Sequence, residues 1–249
     1  MLGAALGALG GVAAASALGW ASMDARSQLF GRTFIGRDDV AGRKFIALTY
    51  DDGPNDRCTL PLLDVLAKHG ARVTFFMIGS YVAARPEIAR RVAEAGHEIG
   101  NHTFRHPNLI GCSPARVRSE LEQCRAALRD AVGEHSRWFR PPFGGRRPDV
   151  LAVVRALGME PVLWRVSSRD WVLDARAIEE KVSRGLRGGD VILMHDGSHR
   201  GMEWDRGNTV KATDALIPRL RDGGYEFVSV GEMKATSTTE TQRHRAGHE

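Results

Sequence analysis

Between residues 43 and 233, short apolar runs alternate with amphipathic segments about seven times, and no other feature restricts the fold of this chain as tightly. The runs are rich in β-branched and aromatic residues: KFIALTY (44–50), RVTFFMIG (72–79), HEIGN (97–101), RWFRPP (137–142), EPVLWRV (160–166), DVILMH (190–195) and YEFVSV (225–230). Each reads as a strand. The segments between them carry helix punctuation. CTLPLLDVLAKHG places apolar residues at 60, 62, 63, 66 and 67 and closes on Gly70, a residue suited to the left-handed end of a helix. PEIARRVAEAG begins on Pro86, a good first-turn residue, and stops at Gly96. SPARVRSELEQCRAALRDAVG opens with Ser113 as N-cap and Pro114 behind it, then runs to Gly133. RPDVLAVVRALG and TVKATDALIPRLRDGG repeat the pattern. Strand–helix alternation of this kind implies an α/β fold, a parallel sheet covered by helices, with catalytic groups at the carboxyl ends of the strands. No linker interrupts the stretch, so 43–233 reads as a single domain.

The chain has 249 residues, 43% of them apolar and 26% charged, enough material for a substantial core. Its net charge of +5 comes from an Arg-rich excess. No block of basic residues with interleaved aromatics stands out, so the charge points away from nucleic acid and toward a generally basic surface attracted to an anionic envelope. Three cysteines, Cys58, Cys112 and Cys124, form no C-x-x-C and no disulfide framework. Each is read as a small core or helix residue, with a Cys112–Cys124 bridge as the alternative in an oxidising compartment. Residues 1–23 contain no charge and are long enough to span a bilayer at roughly 20 residues, but they lack a basic leader. They are expected to be an export signal or a membrane anchor, which would place the protein outside the cytoplasm or on a membrane facing the envelope. Residues 24–42 are then a linker, and the polar, aperiodic stretch 234–249 a disordered tail.

The polar groups fall where the alternation predicts a site. Asp51 and Asp52 end the first strand, His102 and His106 follow the third, Arg140 ends the fourth, Asp170 follows the fifth and His195 ends the sixth. His102 and His106 are four apart, and in a helical turn that spacing stacks both imidazoles on one face, close enough to share a metal. The second residue of the pair's motif is Thr103 rather than Glu, which disfavours an H-E-x-x-H metalloprotease. The pair needs a third ligand, and Asp51 and Asp52 are the nearest unassigned carboxylates at a strand end. Taken singly, each motif has an ordinary explanation as an acidic turn, surface histidines, a stiff turn or a core histidine. Their joint occurrence at successive strand ends does not.

In these motifs the chain resembles the polysaccharide deacetylases, the carbohydrate esterase family 4 built on the NodB homology domain. TYDDG (49–53) is similar to the family's T-F-D-D-G, HTFRH (102–106) to H-S/T-x-x-H, RPPFG (140–144) to R-x-P-Y/F-G and LMH (193–195) to L-x-H. SSRDW (167–171) meets only half of D-x-x-D-W, with Ser167 in place of the first acid. The resemblance covers about 44–233 and implies a distorted (β/α) barrel with about seven parallel strands. It implies that Asp52, His102 and His106 bind a divalent metal, most simply Zn²⁺, with Co²⁺, Ni²⁺ or Mn²⁺ as substitutes, leaving a position open for water and substrate. It further implies Asp51 as general base, pointing away from its ligating neighbour, with Arg140 keeping it ionised and oriented. The backbone N–H of Phe143 would stabilise the oxyanion, and His195, set by Asp170, would protonate the leaving amine. Trp171 and Leu193 would wall a pocket for the acetyl methyl. Arg206 and Asn208 are candidates for sugar hydroxyls.

The expected activity is metal-dependent removal of N-acetyl groups from a GlcNAc-containing polysaccharide or oligosaccharide, peptidoglycan or chitin-like. An O-acetyl esterase acting on a xylan-like polymer is the nearest variant. Two His and one carboxylate also form the facial triad of Fe(II) oxygenases, but those present H-x-D on an all-β barrel. A non-catalytic carbohydrate-binding relative is the third reading, and the presence of Asp51 and His195 argues against it.

Overall fold

The computed structural model describes residues 18–38, 42–133 and 137–235. The apolar N-terminal stretch therefore lies, up to residue 17, outside the described residues, as does the tail beyond residue 235. Among the described residues no helix is long and apolar enough to cross a membrane.

Eight strands, all parallel, form the sheet: β1 (Lys44–Gly53), β2 (Thr74–Met77), β3 (Glu98–Asn101), β4 (Trp138–Phe139), β5 (Glu160–Pro161), β6 (Val166–Ser167), β7 (Val191–His195) and β8 (Tyr225–Phe227). Seven of them run in the order β5-β4-β3-β2-β1-β7-β6 and curl into a distorted barrel, while β8 pairs with the first half of β1. The helices α1 (Thr59–Lys68), α2 (Gly79–Ala84), α3 (Pro86–Glu94), α4 (Pro114–Val132), α5 (Pro148–Ala156), α6 (Ala175–Ser183) and α7 (Gly207–Asp222) cover it. The parallel, helix-covered sheet is the one the alternation implies, its curling into a distorted barrel is what the family resemblance implies, and the all-β scaffold of the oxygenase reading is not what these residues build.

The period of two along β1 sorts its side chains. Ile46, Leu48 and Tyr50 face the helices in one apolar cluster with Leu62, Leu66 and Leu216. Phe45 and Ala47 face the barrel interior with Phe76, Trp138, Val162 and Val191. Thr49 and Asp51 continue the inner row, so this face runs from apolar at the base to polar at the carboxyl end. Helix α4 follows its sequence punctuation. The Ser113 side chain accepts from the Arg116 N–H at 3.3 Å, and Gly133 ends the helix with φ of 77°.

Two parts differ from the sequence pattern. EPVLWRV is not one strand: β5 and β6 lie at opposite edges of the sheet. Between them the chain is held by residues 33–37, since Phe34 donates to the Pro161 carbonyl, Leu163 donates to Phe34, and Gly36 bridges to Asp190. That segment fills the gap between the two edges. Helices α2 and α6 were also not expected. The first is six residues long and starts inside an apparent strand, and the second buries only Ile178 and Val182.

The three cysteines are free, with Cys58 and Cys124 buried and Cys112 half-buried, so the alternative Cys112–Cys124 bridge is not formed.

Candidate active site and metal centre

A cavity of about 500 Å³ opens at the carboxyl ends of the strands. Eight of the ten residues assigned to metal, catalysis or the acetyl pocket by sequence line it: Asp51, Asp52, His102, His106, Phe143, Trp171, Leu193 and His195. The other two stand directly behind, Arg140 bonded to Asp51 and Asp170 bonded to His195.

Strict strand alternation would send Asp51 and Asp52 to opposite faces. Both reach the cavity because Asp52 takes a left-handed φ of 73° and the pairing with β2 slips between Asp51 and Gly53. This bulge corrects the expectation that the two point away from each other. His102 and His106 likewise converge without a helical turn. Residues 102–108 form a loop in which Thr103 and His106 are left-handed, with φ of 66° and 57°. The loop is tied down by Asn101, which accepts from Thr103 N–H, by Thr103 Oγ1, which accepts from His106 N–H, and by buried Glu120, which accepts from Phe104 and Arg105 N–H at 3.1 and 2.7 Å. Phe143 and Arg169, at φ of 59° and 57°, complete the set of non-glycine left-handed residues in the described chain. All five lie in or between the motif residues, as expected where strain is held by a functional site.

Three lone-pair atoms meet at the cavity floor. His106 Nε2 lies 3.1 Å from Asp52 Oδ1 and 3.2 Å from His102 Nε2, and His102 Nε2 lies 3.4 Å from the same carboxylate oxygen. His102 Nδ1 donates to the Arg140 carbonyl at 2.8 Å, which fixes the tautomer and leaves Nε2 bare. Asp52 Oδ1 is buried and has no hydrogen-bond partner among the described residues. Ligands about 2.05 Å from a tetrahedral Zn²⁺ stand roughly 3.3 Å apart, so the three atoms fit a divalent cation, and these are the residues that could hold one. Burial alone would raise the Asp52 pKa, but the adjacent imidazoles of His102, His106 and His199 hold it well below the usual range. Burial pushes His106 down, against the pull of Asp52, keeping it a neutral ligand.

Two charged pairs flank this triad. Arg140 is fully buried. Its Nη1 donates to Asp51 Oδ1 and Thr49 Oγ1, both at 2.7 Å, its remaining donors reach the Val162 and Leu163 carbonyls, and its guanidinium lies 4.1 Å over Phe76. A buried guanidinium satisfied on every side is a rigid clamp for its carboxylate. The other Asp51 oxygen is free to face the triad, 3.8 Å from His102 Nε2. On the opposite wall Asp170 accepts from His195 twice, from the backbone N–H at 2.7 Å and from Nδ1 at 2.8 Å, and also from Thr209 Oγ1 at 2.8 Å. Burial opposes charge on His195, but Asp170 outweighs it and pushes the imidazole up to about 9. Trp171 stands edge-on to His195 at 5.4 Å, with Leu193 buried beside it.

His199 was not anticipated. It stacks on His106 at 4.8 Å with the ring planes nearly parallel, and its Nδ1 lies 3.9 Å from Asp52 Oδ2. Its spacing of four from His195 repeats that of the metal pair and was the available signal. Trp164, Ser198 and Trp204 also line the cavity, from segments without a motif. Arg206 lines it and donates to the Gly197 carbonyl, whereas Asn208 lies in a neighbouring depression.

The fold and site are those of the carbohydrate deacetylases, as comparison with known proteins shows. The polysaccharide deacetylase family model matches residues 38–162. A chitooligosaccharide deacetylase of Bradyrhizobium sp. (strain ANU 289) is 41% identical over 197 residues, covering 76% of this chain and 90% of the relative. The crystal structure of the Bc1960 peptidoglycan N-acetylglucosamine deacetylase superposes with a TM-score of 0.74 at 31% identity, over 81% of this chain and 91% of that one. A Bacillus anthracis pseudoenzyme of the same family, BA3943, superposes with a TM-score of 0.70 at 27% identity, over 77% and 66%. The chain belongs to the polysaccharide deacetylase family and is an enzyme of that class.

Proposed function

We propose that the chain hydrolyses the N-acetyl group of an N-acetylglucosamine unit in a polysaccharide or oligosaccharide, using a Zn²⁺ ion held by Asp52, His102 and His106. The observation that carries this is the pairing of an acid–base set on each side of one triad, Arg140–Asp51 on one wall and Asp170–His195 on the other. The substrates named for the relatives, chitooligosaccharide and peptidoglycan N-acetylglucosamine, support the same reading.

A bound divalent cation would polarise the acetyl carbonyl and ease deprotonation of a water molecule. Asp51, held by Arg140 through one oxygen, takes the water's proton on the other. The attack places negative charge on the former carbonyl oxygen, toward which the Phe143 N–H donates. His195 is charged at neutral pH, with Nδ1 fixed on Asp170, so Nε2 presents a proton to the leaving amine nitrogen. Leu193 and Trp171 exclude water around the acetyl methyl. No Ser or Cys nucleophile takes part. Acting on an envelope polymer agrees with an extracytoplasmic or membrane-attached location.

Acetate release from chitin oligomers and peptidoglycan glycan, with and without chelator, tests the proposal. Asp51→Asn should keep the bound metal and lose nearly all turnover. Turnover close to that of the unaltered protein would sink the base assignment, and no acetate from either substrate in the metal-loaded protein would place the chain with the non-catalytic relatives.

A further inference from the structure

A second groove opens beside the catalytic cavity, sharing Trp164 and Trp171 with it as a common wall. Beyond that wall the lining is cationic. Arg26 comes from the N-terminal segment, Arg165 and Arg169 from either side of β6, and Lys181 and Arg184 from the end of α6. Arg165 is neutralised by Asp38 at 2.8 Å and Asp190 at 3.6 Å. Arg169, Lys181 and Arg184 are exposed and form no ion pair with a described residue, and Arg26 turns its guanidinium to the Arg165 carbonyl. Asp24 is the single acid among the lining residues.

A helix C-terminus favours cations, which accounts for Lys181 and Arg184 where they stand. It does not account for Arg26 and Arg169, which reach the same groove from other elements. Arg169 does so from a left-handed backbone that an arginine adopts at a cost. Ser167 lines the same groove, at the position where the resembling fourth motif has an acid. A hydroxyl there leaves the cations uncompensated.

We propose that this groove is a subsite for a carboxylate of the substrate, carried on a sugar neighbouring the one that loses its acetyl group. The inference rests on the deacetylase reading and narrows its substrate class to an acidic N-acetylated glycan, bearing a lactyl ether or a uronic acid, in preference to a neutral chitin oligomer. Exposed cations acting on one carboxylate each contribute a factor of about 2–5, so three of them give roughly tenfold or more at low salt.

The test compares kcat/KM for acetate release by the metal-loaded full chain on three oligomers of equal length: chitin, alternating GlcNAc with a lactyl-bearing sugar, and alternating GlcNAc with a uronic acid. Both acidic substrates are also used as methyl esters, and all are measured at low and high salt. The expected result is a preference of at least about tenfold for an acidic oligomer, shrinking with salt and lost on esterification. In the double variant Lys181→Glu/Arg184→Glu the acidic-to-neutral ratio should fall about tenfold. The acidic oligomer that shows the preference identifies the source of the carboxylate. A ratio unchanged by the variant or by esterification overturns the inference while leaving the deacetylase reading intact, and the ester arm needs no variant. A variant that loses co-sedimentation with anionic phospholipid vesicles yet keeps the glycan ratio would assign the groove to a lipid surface instead. No acetate from any oligomer would overturn the deacetylase reading, and this inference with it.

Discussion

Replacing Asp170 by Asn removes a charge while keeping the side chain's shape, and the effect should appear as a displaced pH profile. His195 is buried, and burial alone disfavours its imidazolium. The Asp170 carboxylate, 2.8 Å from Nδ1, reverses the balance and pushes His195 from 6.5 to about 9. Without that charge burial acts unopposed by its main partner, and the value falls to about 6.5 or below. At about pH 7.5 the protonated fraction then drops from roughly 97% to under about 10%, which by itself costs about tenfold in kcat. An amide at residue 170 can also present its NH₂ to Nδ1, inverting the tautomer and withdrawing the proton from Nε2, so the full loss should lie between about tenfold and 10⁴-fold. The assay is kcat/KM for acetate release from an N-acetylglucosamine oligomer across about pH 5–10, with metal content measured in both proteins. A divalent cation on the nearby triad repels an imidazolium, so the alkaline limb of the unaltered protein is expected at or below about 9. The limb of Asp170→Asn should lie at least 2 units lower, an order-of-magnitude figure. Coincident alkaline limbs in two proteins of equal metal content would refute the reasoning, because His195 would then not be the group whose proton is spent.

The same pair predicts how stability changes with pH. His195 has a raised folded value, so its contribution is fully present below about pH 6.5 and is lost as pH rises through about 9. The Tm of the unaltered protein should therefore decline across that alkaline window, and that of Asp170→Asn should decline less. His106→Ala removes one of three ligand atoms and should release the bound cation, read as metal per chain after gel filtration; undiminished metal would exclude His106 from the site. Glu120→Ala removes the acceptor shared by the part-buried N–H groups of Phe104 and Arg105, at about 1 kcal/mol for each. It should lower Tm and weaken metal binding by about 10–100-fold through the loosened 102–106 loop, and an unchanged metal Kd would show that the loop needs no such anchor.

How far the sequence reveals this site depends on whether a feature is local. The alternation of strands and helices follows from the period of two in the strands and the period near 3.6 in the helices, and β1 shows this directly, with Ile46, Leu48 and Tyr50 outward and Phe45 and Ala47 inward, whereas closure of the sheet into a barrel was implied only by the family resemblance. The chemical identities of the cavity residues were also readable, because paired acids, spaced histidines and a buried arginine have few other uses together at strand ends. What was not readable is how the side chains come to face one another. EPVLWRV divides because residues 33–37, more than 120 positions away, occupy the space between its halves. Asp51 and Asp52 share a cavity only through a left-handed Asp52, and the two metal histidines meet through left-handed Thr103 and His106. Local preference argues most against the left-handed Thr103, since a β-branched residue does not favour positive φ and the conformation costs it of order 1 kcal/mol or more, whereas Asp and His adopt it more readily. The 102–106 loop is compensated by hydrogen bonds to Asn101, Thr103 Oγ1 and Glu120, and Asp51 beside the left-handed Asp52 is held by Arg140. The strain and its compensation are therefore one device. It holds the ligand atoms of Asp52, His102 and His106 about 3 Å apart, the separation that a divalent cation requires of its ligands.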